Sequence, residues 1–524
     1  MTALAAAALA ACAGAAALAL LRWARVAQRE HYLSGAVSRF AWRWWSLGTW
    51  QAALGLVALA SAVAAVVTPW PALVAAAAIA AGPVGLSARG RTSPLRWTRR
   101  CATVAALAAV VVAAPAAIAG ALGGLRAAVP AAALTVVAVP VVLDAVLALL
   151  APLEERLARR FVDAARTRLR RVGPVVVAIT GSYGKTTTKG YLAHLLSGRF
   201  SVVASPRSFN NRAGLARTVN ELLVPGTDVL VAEMGAYGPG EIAALCAWLA
   251  PTVAVITAIG PVHLERFGSL ERTLAAKAEI AAGADAVVLN VDDERLAGLA
   301  ERLTTEGQRV LACSARDPGA DVAVMGEAGG LTLIVGGERV GRAGTAGGEL
   351  PPAMTNVACA AAAAIALGCS PAEVLERLGS LPATENRLQR SVASNGVVVL
   401  DDTFNANPAG AALALELLAA TGAPGARRAL ITPGMVELGP LQAAENAAFA
   451  RRAAGVVTDL VVVGRSNRKA LLAGFAAGRG AARGGRAPQV SVVGTRDDAV
   501  AWVREHLRAG DVVLYENDLP DHFP

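Results

Sequence analysis

Lysine is almost absent from this chain. Four of its 49 basic residues are lysine (Lys185, Lys189, Lys277 and Lys469) and the other 45 are arginine. Where composition favours arginine so strongly, a retained lysine has a chemical reason: a guanidinium is not an equivalent point charge and does not readily act as an amine. Charged residues make up 17% and aromatics 4%, against 55% hydrophobic. That balance excludes a disordered chain, and it excludes an ordinary soluble enzyme along the whole length. The six cysteines (12, 101, 246, 313, 359 and 369) include no C-x-x-C pair. This excludes a secreted disulfide framework and points to isolated thiols in a reducing compartment.

The formal charge of +10 is not a nucleic-acid signal once it is placed. Residues 1–150 hold eleven arginines against Glu30 and Asp144, a net of +9, which leaves +1 for the remaining 374 residues. A basic face for nucleic acid is excluded on that distribution, and a membrane topology signal fits it. Apolar runs cover residues 2–21, 47–68, 70–87, 102–125 and 127–152, and a span needs about 20 apolar residues. Segments 22–46 and 88–100 carry five arginines each, while the turns near 68–71 and 123–128 carry at most one. Arginine-rich loops stay in the cytoplasm. The expected layout is a membrane region of about five helices over 1–152, multi-pass in the inner or plasma membrane, with everything after Leu150 cytoplasmic. Seven of the nine tryptophans precede residue 100, as an interfacial belt requires. Residues 153–171 read as an amphipathic linker helix on the bilayer surface.

The stretch Val175 to Ile179 reads as a buried strand. It runs into Thr180-Gly181-Ser182-Tyr183-Gly184-Lys185-Thr186-Thr187-Thr188 and then a helical segment. A strand, a glycine-rich turn, Lys-Thr and a helix make a phosphate cradle, with backbone N–H groups turned inward and the helix N-terminus adding positive potential. Lys185 is expected on the β/γ-phosphates of ATP and Thr186 on Mg²⁺. A second strand, Asp228 to Gly235, places Glu233 at a carboxyl end, where α/β folds hold ligands. A third, Val253 to Ile256, leads to His263, read as a metal or phosphate group.

These residues, with Ser208-Phe209-Asn210-Asn211-Arg212, Gly260-Pro261-Val262-His263-Leu264, Ala276-Lys277-Ala278-Glu279, Asn290-Val291-Asp292-Asp293, Asn356, Arg387, Asp401 to Pro408 and Gly434 to Gly439, resemble the Mur ligases, and within them the D-alanyl-D-alanine-adding group. The resemblance implies a central α/β P-loop ATPase domain over 172–382 and a C-terminal α/β Rossmann-like domain over 383–524. It implies an ATP-dependent ligase that phosphorylates a carboxylate and lets an amine attack the acyl phosphate. Lys185, Glu233, His263 and Lys277 are then catalytic. Thr180, Gly181, Ser182, Gly184, Lys185, Thr186, Thr187, Asn356, Arg387 and Asp402 hold nucleotide. Asn210, Asn211, Asn405 and Asn407 face substrate. Thr186, Glu233, His263 and Lys277 serve two Mg²⁺ ions, with Lys277 carbamylated as in relatives.

Mur ligases normally begin with a soluble domain that holds a uridine nucleotide, and the membrane region stands in its place here. The expected partners are therefore the bilayer, a carboxylate acceptor that is UDP-linked or lipid-linked, and an amino acid or dipeptide. The strand Val512 to Tyr515 ends in an acidic loop, Glu516 to Asp521, where relatives carry a basic one. A polymerising ligase like the poly-γ-glutamate synthases is the alternative, followed by a nucleotide-sensing scaffold.

Overall fold

A computed structural model of the chain describes residues 2–90, 94–345, 350–351, 353–382, 388–403, 406–479, 488–519 and 523. The chain falls into two compact units, residues 1–157 with 519–524, and residues 158–518.

The first unit is helical: α1 (Thr2–Arg29), α2 (Ala36–Trp45), α3 (Thr49–Ala64), α4 (Trp70–Ala81), α5 (Arg99–Val137) and the first half of α6 (Val139–Val172). Its core is rich in small residues, with Ala8, Ala27, Ala58, Ala62, Ala72, Ala75, Ala108 and Ala133 fully buried beside Trp23, Trp44 and Leu143, which lets helix backbones approach closely. Other large apolar side chains point outward, Val67 and Leu122 being 84% and 85% exposed.

Among the described residues two helices, α1 and α5, are long and apolar enough to cross a membrane, or three if the α2–α3 pair, bent by 114°, counts as one span. This is fewer than the five apolar runs suggested. At 16 and 12 residues, α3 and α4 fall short of the roughly 20 a span needs. The expected turn at 123–128 does coincide with a non-helical break at Gly124 (φ 66°), where α5 is two helices joined across a kink. The arginines of segment 22–46 are not all loop charges either. Arg22 donates to the carbonyls of Ile79, Ala80 and Gly82 at 2.7–3.1 Å, satisfying the last turn of α4, and Arg25 is fully buried. Asp144 accepts from the backbone N–H groups of Val37 (3.3 Å) and Ser38 (2.7 Å). It caps α2, so this acid within an apolar run has a structural task.

The second unit holds two sheets. The first comprises β1 (Val175–Thr180), β2 (Val202–Ala204), β3 (Val229–Glu233), β4 (Val253–Ile256), β5 (Ala286–Asn290), β6 (Val310–Ser314), β7 (Val322–Glu327), β8 (Gly330–Val335) and β9 (Glu338–Gly344). Between and after these strands run α7 (Lys185–Leu196), α8 (Arg212–Leu222), α9 (Glu241–Leu249), α10 (Leu264–Phe267), α11 (Leu270–Ala278), α12 (Glu294–Thr305), α13 (Met354–Ala366) and α14 (Pro371–Leu378). The order is β2-β3-β1-β4-β5-β6-β7-β8-β9, parallel as far as β7 and antiparallel from β7 to β9. β1, β3, β4 and β5 are nearly continuous Val/Ala/Ile/Leu runs because both faces are covered by helices. The chain leaves β1 toward β2 and β3 on one side and returns to β4 on the other. That reversal opens a crevice beyond the carboxyl end of β1.

The second sheet comprises β10 (Gln389–Val392), β11 (Val398–Asp402), β12 (Arg428–Thr432), β13 (Asp459–Val463), β14 (Gln489–Val493) and β15 (Val512–Glu516), in the order β10-β11-β15-β12-β13-β14. Its helices are α15 (Pro408–Ala420), α16 (Gln442–Ala453), α17 (Arg468–Gly478) and α18 (Arg496–His506). Only β10 runs antiparallel. The architecture is thus the expected one: a helical region with apolar helices, then two α/β sheets.

Candidate active site

The turn from β1 to α7 is shaped by two glycines in left-handed or extended positive-φ backbone. Gly181 has φ 147°, and a Cβ there would meet Thr257 Oγ1 at 2.0 Å. Gly184 has φ 78°, and a Cβ there would meet Asn356 Oδ1 at 2.2 Å. The turn is lashed to its surroundings. Ser182 N–H donates to Ala258 O at 2.8 Å, Ser182 Oγ donates to Gly260 O at 3.1 Å, and Thr180 Oγ1 donates to Met234 O at 2.9 Å. Thr187 is buried on α7. Lys185 folds back onto its own turn, donating from Nζ to Gly181 O at 2.7 Å. Asn356 thus sits against the phosphate turn, whereas Arg387 and Asn405 lie outside the described residues.

Parallel pairing sets Ile179 beside Glu233, which brings the Glu233 carboxylate to the start of α7. Thr186 Oγ1 donates to Glu233 Oε2 at 3.0 Å, Lys189 Nζ donates to the same oxygen at 2.9 Å, and Asn210 Nδ2 donates to Oε1 at 3.3 Å. Burial pushes the Glu233 carboxyl upward, but the Lys189 and Lys185 ammoniums, with the hydrogen bonds from Lys189 and Thr186, outweigh it and hold it below the usual carboxylate range. Lys189 stands out in the sequence only through the scarcity of lysine, and none of the expected sites includes it. Tyr183, whose hydroxyl burial pushes up with help from Glu445 and Asp293, and Glu437 were also missed.

His263 and Lys277 do not join this group. His263 Nδ1 meets the Glu437 carboxylate, and its ring lies edge-on to Tyr237 with centroids 4.9 Å apart. Lys277 Nζ is 5.8 Å from the centre of the Phe267 ring. Its amine is lowered to about 7 by burial and by Lys185, against Glu241. Among the described residues, no cluster of three or more His, Cys, Asp and Glu suits a metal. The donors that do suit one are the Thr186 hydroxyl and the Glu233 carboxylate, hard oxygens of the kind Mg²⁺ takes, next to a phosphate turn. The residues therefore fit one Mg²⁺ at that point.

Two expected substrate contacts have other tasks. Asn211 Oδ1 accepts from Gly214 N–H, and Asn407 Oδ1 from Gly410 N–H, each at 2.9 Å. They cap α8 and α15. Asp402 ends β11, buried, with its carbonyl accepting from Asn517 N–H at 3.1 Å. In the acidic loop, Asn517 Nδ2 donates to Gly434 O at 2.7 Å and Asp518 pairs with Arg496 at 2.5 Å.

Comparison with known proteins agrees with this geometry. The sequence profile of the Mur ligase middle domain matches residues 179–333, and that of the Mur ligase glutamate ligase domain matches residues 386–515. The UDP-N-acetylmuramoyl-tripeptide–D-alanyl-D-alanine ligase of Mycobacterium tuberculosis H37Rv is 34% identical over 388 residues, covering 71% of this chain and 74% of the relative. The Bacillus subtilis enzyme of the same name is 29% identical over 363 residues, covering 67% and 75%. Among solved structures, MurF ligase from Thermotoga maritima in complex with ADP superposes with a TM-score of 0.58 at 24% identity, over 69% of this chain and 80% of that one. MurF from Acinetobacter baumannii gives 0.58 at 23%, over 69% and 77%. The chain belongs to the Mur ligase family and is an ATP-dependent, amide-bond-forming ligase of peptidoglycan synthesis.

Proposed function

We propose that this chain is a membrane-anchored member of that family, held in the plasma membrane by residues 1–152 with its two ligase domains, 172–382 and 383–524, in the cytoplasm. The observation that carries the anchor is the first unit itself: closely packed alanines between its helices and exposed apolar side chains such as Leu56, Val66, Val67, Val110 and Leu122 on its outside, the arrangement a lipid solvent favours. The matched profiles begin only at residue 179.

The reaction follows from the residues at the phosphate turn. The N–H groups of 181–186 and the Lys185 ammonium receive the ATP phosphates, which draw Lys185 off Gly181 O. The acceptor carboxylate attacks the γ-phosphorus and ADP leaves, giving an acyl phosphate. The amine then attacks the acyl carbon, inorganic phosphate leaves with one former carboxylate oxygen, and the amine's proton passes to solvent. A Mg²⁺ held by Thr186 and Glu233 supplies charge neutralisation for phosphoryl transfer. Closure of the C-terminal domain excludes water from the acyl phosphate. Lys277 is suited to carbamylation: its buried amine, lowered to about 7, would add to CO₂ and release a proton, so that a cation becomes an oxygen-bearing anion.

The relatives' names specify a UDP-linked muramoyl tripeptide and D-alanyl-D-alanine. For this chain we favour a dipeptide or amino acid as amine and an acceptor presented at the membrane, lipid-linked rather than UDP-linked. The test is ADP release by detergent-solubilised protein given UDP-linked muramoyl tripeptide, its lipid-linked counterpart, or neither, with a panel of amines. An ¹⁸O-labelled carboxylate should deliver one ¹⁸O to phosphate. Release with the lipid-linked acceptor supports the anchor's purpose. Release with the UDP-linked acceptor alone refutes the membrane acceptor, and unlabelled phosphate refutes the acyl phosphate.

A further inference from the structure

Glu233 has a neighbour to which the reaction above gives no task. Lys189 lies one turn beyond Lys185 on α7, and its Nζ stands 2.9 Å from Glu233 Oε2 with the two side chains 7% and 4% exposed. An ion pair taken this far from water is costly, and well-packed apolar residues of similar volume often serve stability as well or better. A purely structural role is therefore a weak reason to keep it. The choice of cation is informative too. This chain uses arginine at 45 of 49 basic positions and keeps lysine here. A guanidinium forks onto both oxygens of a carboxylate, whereas an ammonium is a compact point charge. Here the ammonium takes Oε2 together with Thr186, and Oε1 is left with the longer contact from Asn210 at 3.3 Å. Lysine neutralises the carboxylate without covering it.

We propose that Lys189 is a positioning residue that counter-charges Glu233, so that the Thr186–Glu233 site takes a divalent metal only together with nucleotide. Before nucleotide binds, one carboxylate faces two ammoniums, Lys189 and Lys185, both of which act on it electrostatically. A dication entering there meets a net positive surrounding. The ATP phosphates reverse that sign, and the metal then binds to phosphate, Thr186 and Glu233 together. Metal held alone would occupy the turn in the place the phosphates need, and Lys189 prevents it. The inference rests on the reading that Thr186 and Glu233 hold the metal.

Mn²⁺ is the probe, followed by the loss of its free-ion paramagnetic resonance signal on titration with the full detergent-solubilised chain, with and without a non-hydrolysable ATP analogue. The wild type should bind Mn²⁺ weakly alone and far more tightly with the analogue. Lys189→Met should tighten Mn²⁺ binding without nucleotide by about tenfold and shrink the enhancement of Mn²⁺ binding by nucleotide, with the enhancement of nucleotide binding by Mn²⁺ shrinking by the same factor, as reciprocal linkage demands. Lys189→Arg should weaken Mn²⁺ binding in the nucleotide complex, because the fork covers both oxygens. If Lys189→Met does not give a cooperative melt, Lys189→Gln removes the charge while keeping a donor for Glu233 and should behave alike. Unchanged nucleotide-free Mn²⁺ affinity in a folded neutral variant overturns the proposal. Glu233→Gln separates the two readings: if it leaves Mn²⁺ affinity in the nucleotide complex unchanged, the metal assignment itself fails.

Discussion

His263 and Glu437 meet side chain to side chain across the two α/β domains of the ligase unit. Both hold left-handed backbone conformations, at φ 59° and 63°, a strain that surrounding structure must over-determine. Next to them Gly439 packs its backbone on α10, where a Cβ would stand 3.3 Å from Glu265 N. The contact ties the C-terminal domain to the segment that follows β4, so it helps set how far the cleft closes. Hydrogen bonds to charged groups contribute about 1.5–3 kcal/mol. Glu437→Ala should therefore lower kcat about tenfold or more while ATP affinity changes by less than threefold, since the phosphate turn is untouched. Calorimetric ATP titration beside steady-state rates checks this, and an equal fall in both would assign Glu437 to nucleotide binding instead.

Gly181 tests the phosphate cradle directly. At φ 147°, with Thr257 Oγ1 only 2.0 Å from where a Cβ would stand, Gly181→Ala must displace either the turn or Thr257. Thr257 is itself bound to Thr180 O at 3.2 Å and to Tyr183 O, so the displacement spreads through the loop. Strained backbone of this kind costs about 1–3 kcal/mol, and ATP binding should weaken by about tenfold or more. Thermal melting without nucleotide should change much less than the ATP-induced shift does. A normal ATP-induced shift in Gly181→Ala would mean that the phosphates bind elsewhere.

The parts of this enzyme legible in sequence are those where backbone geometry dictates residue type. β1, β3 and β4 read as unbroken apolar runs because they are covered on both faces, and the glycines of 181 and 184 sit where a side chain would clash. Asn210, expected to face substrate, donates to Glu233. Less legible were residues whose type permits two tasks. Asn407, followed by Pro408 at the first helical position, carries a helix-start signature, yet a motif match alone reads it as a substrate contact. Arg22 and Asp144 enter the sequence reading only through the charge balance, because spacing does not reveal that α4 and α2 have their ends beside them. His263 and Lys277 were expected with Glu233, but His263 faces Glu437 and Lys277 lies buried by Phe267, contacts that no spacing along the chain reveals. The antiparallel tail β7–β9 was not foreseen at all, since its short alternating strands lie outside every motif.

Lys277 makes the most specific statement about pH. Its amine is lowered from the ordinary 10.5 to about 7, first by burial and then by Lys185, with Glu241 opposing. In the unfolded chain the same amine stays protonated up to about pH 10.4. Between about pH 7 and pH 10 the unfolded chain thus binds more protons than the folded one, and stability rises with pH, by up to about 1.4 kcal/mol per pH unit. Below pH 7 both states carry the proton, and the slope from this residue vanishes. Chemical denaturation of the ligase unit in CO₂-free buffer, wild type against Lys277→Met, should show the wild type gaining about 2 kcal/mol on the variant between pH 7 and pH 9. Bicarbonate should then stabilise only the wild type, because carbamate forms on the folded chain's neutral amine and binding to the folded state alone raises its stability. Parallel stability curves for the two proteins would place the Lys277 amine at its ordinary value, and the case for a carbamate at this position would lose its chemical basis.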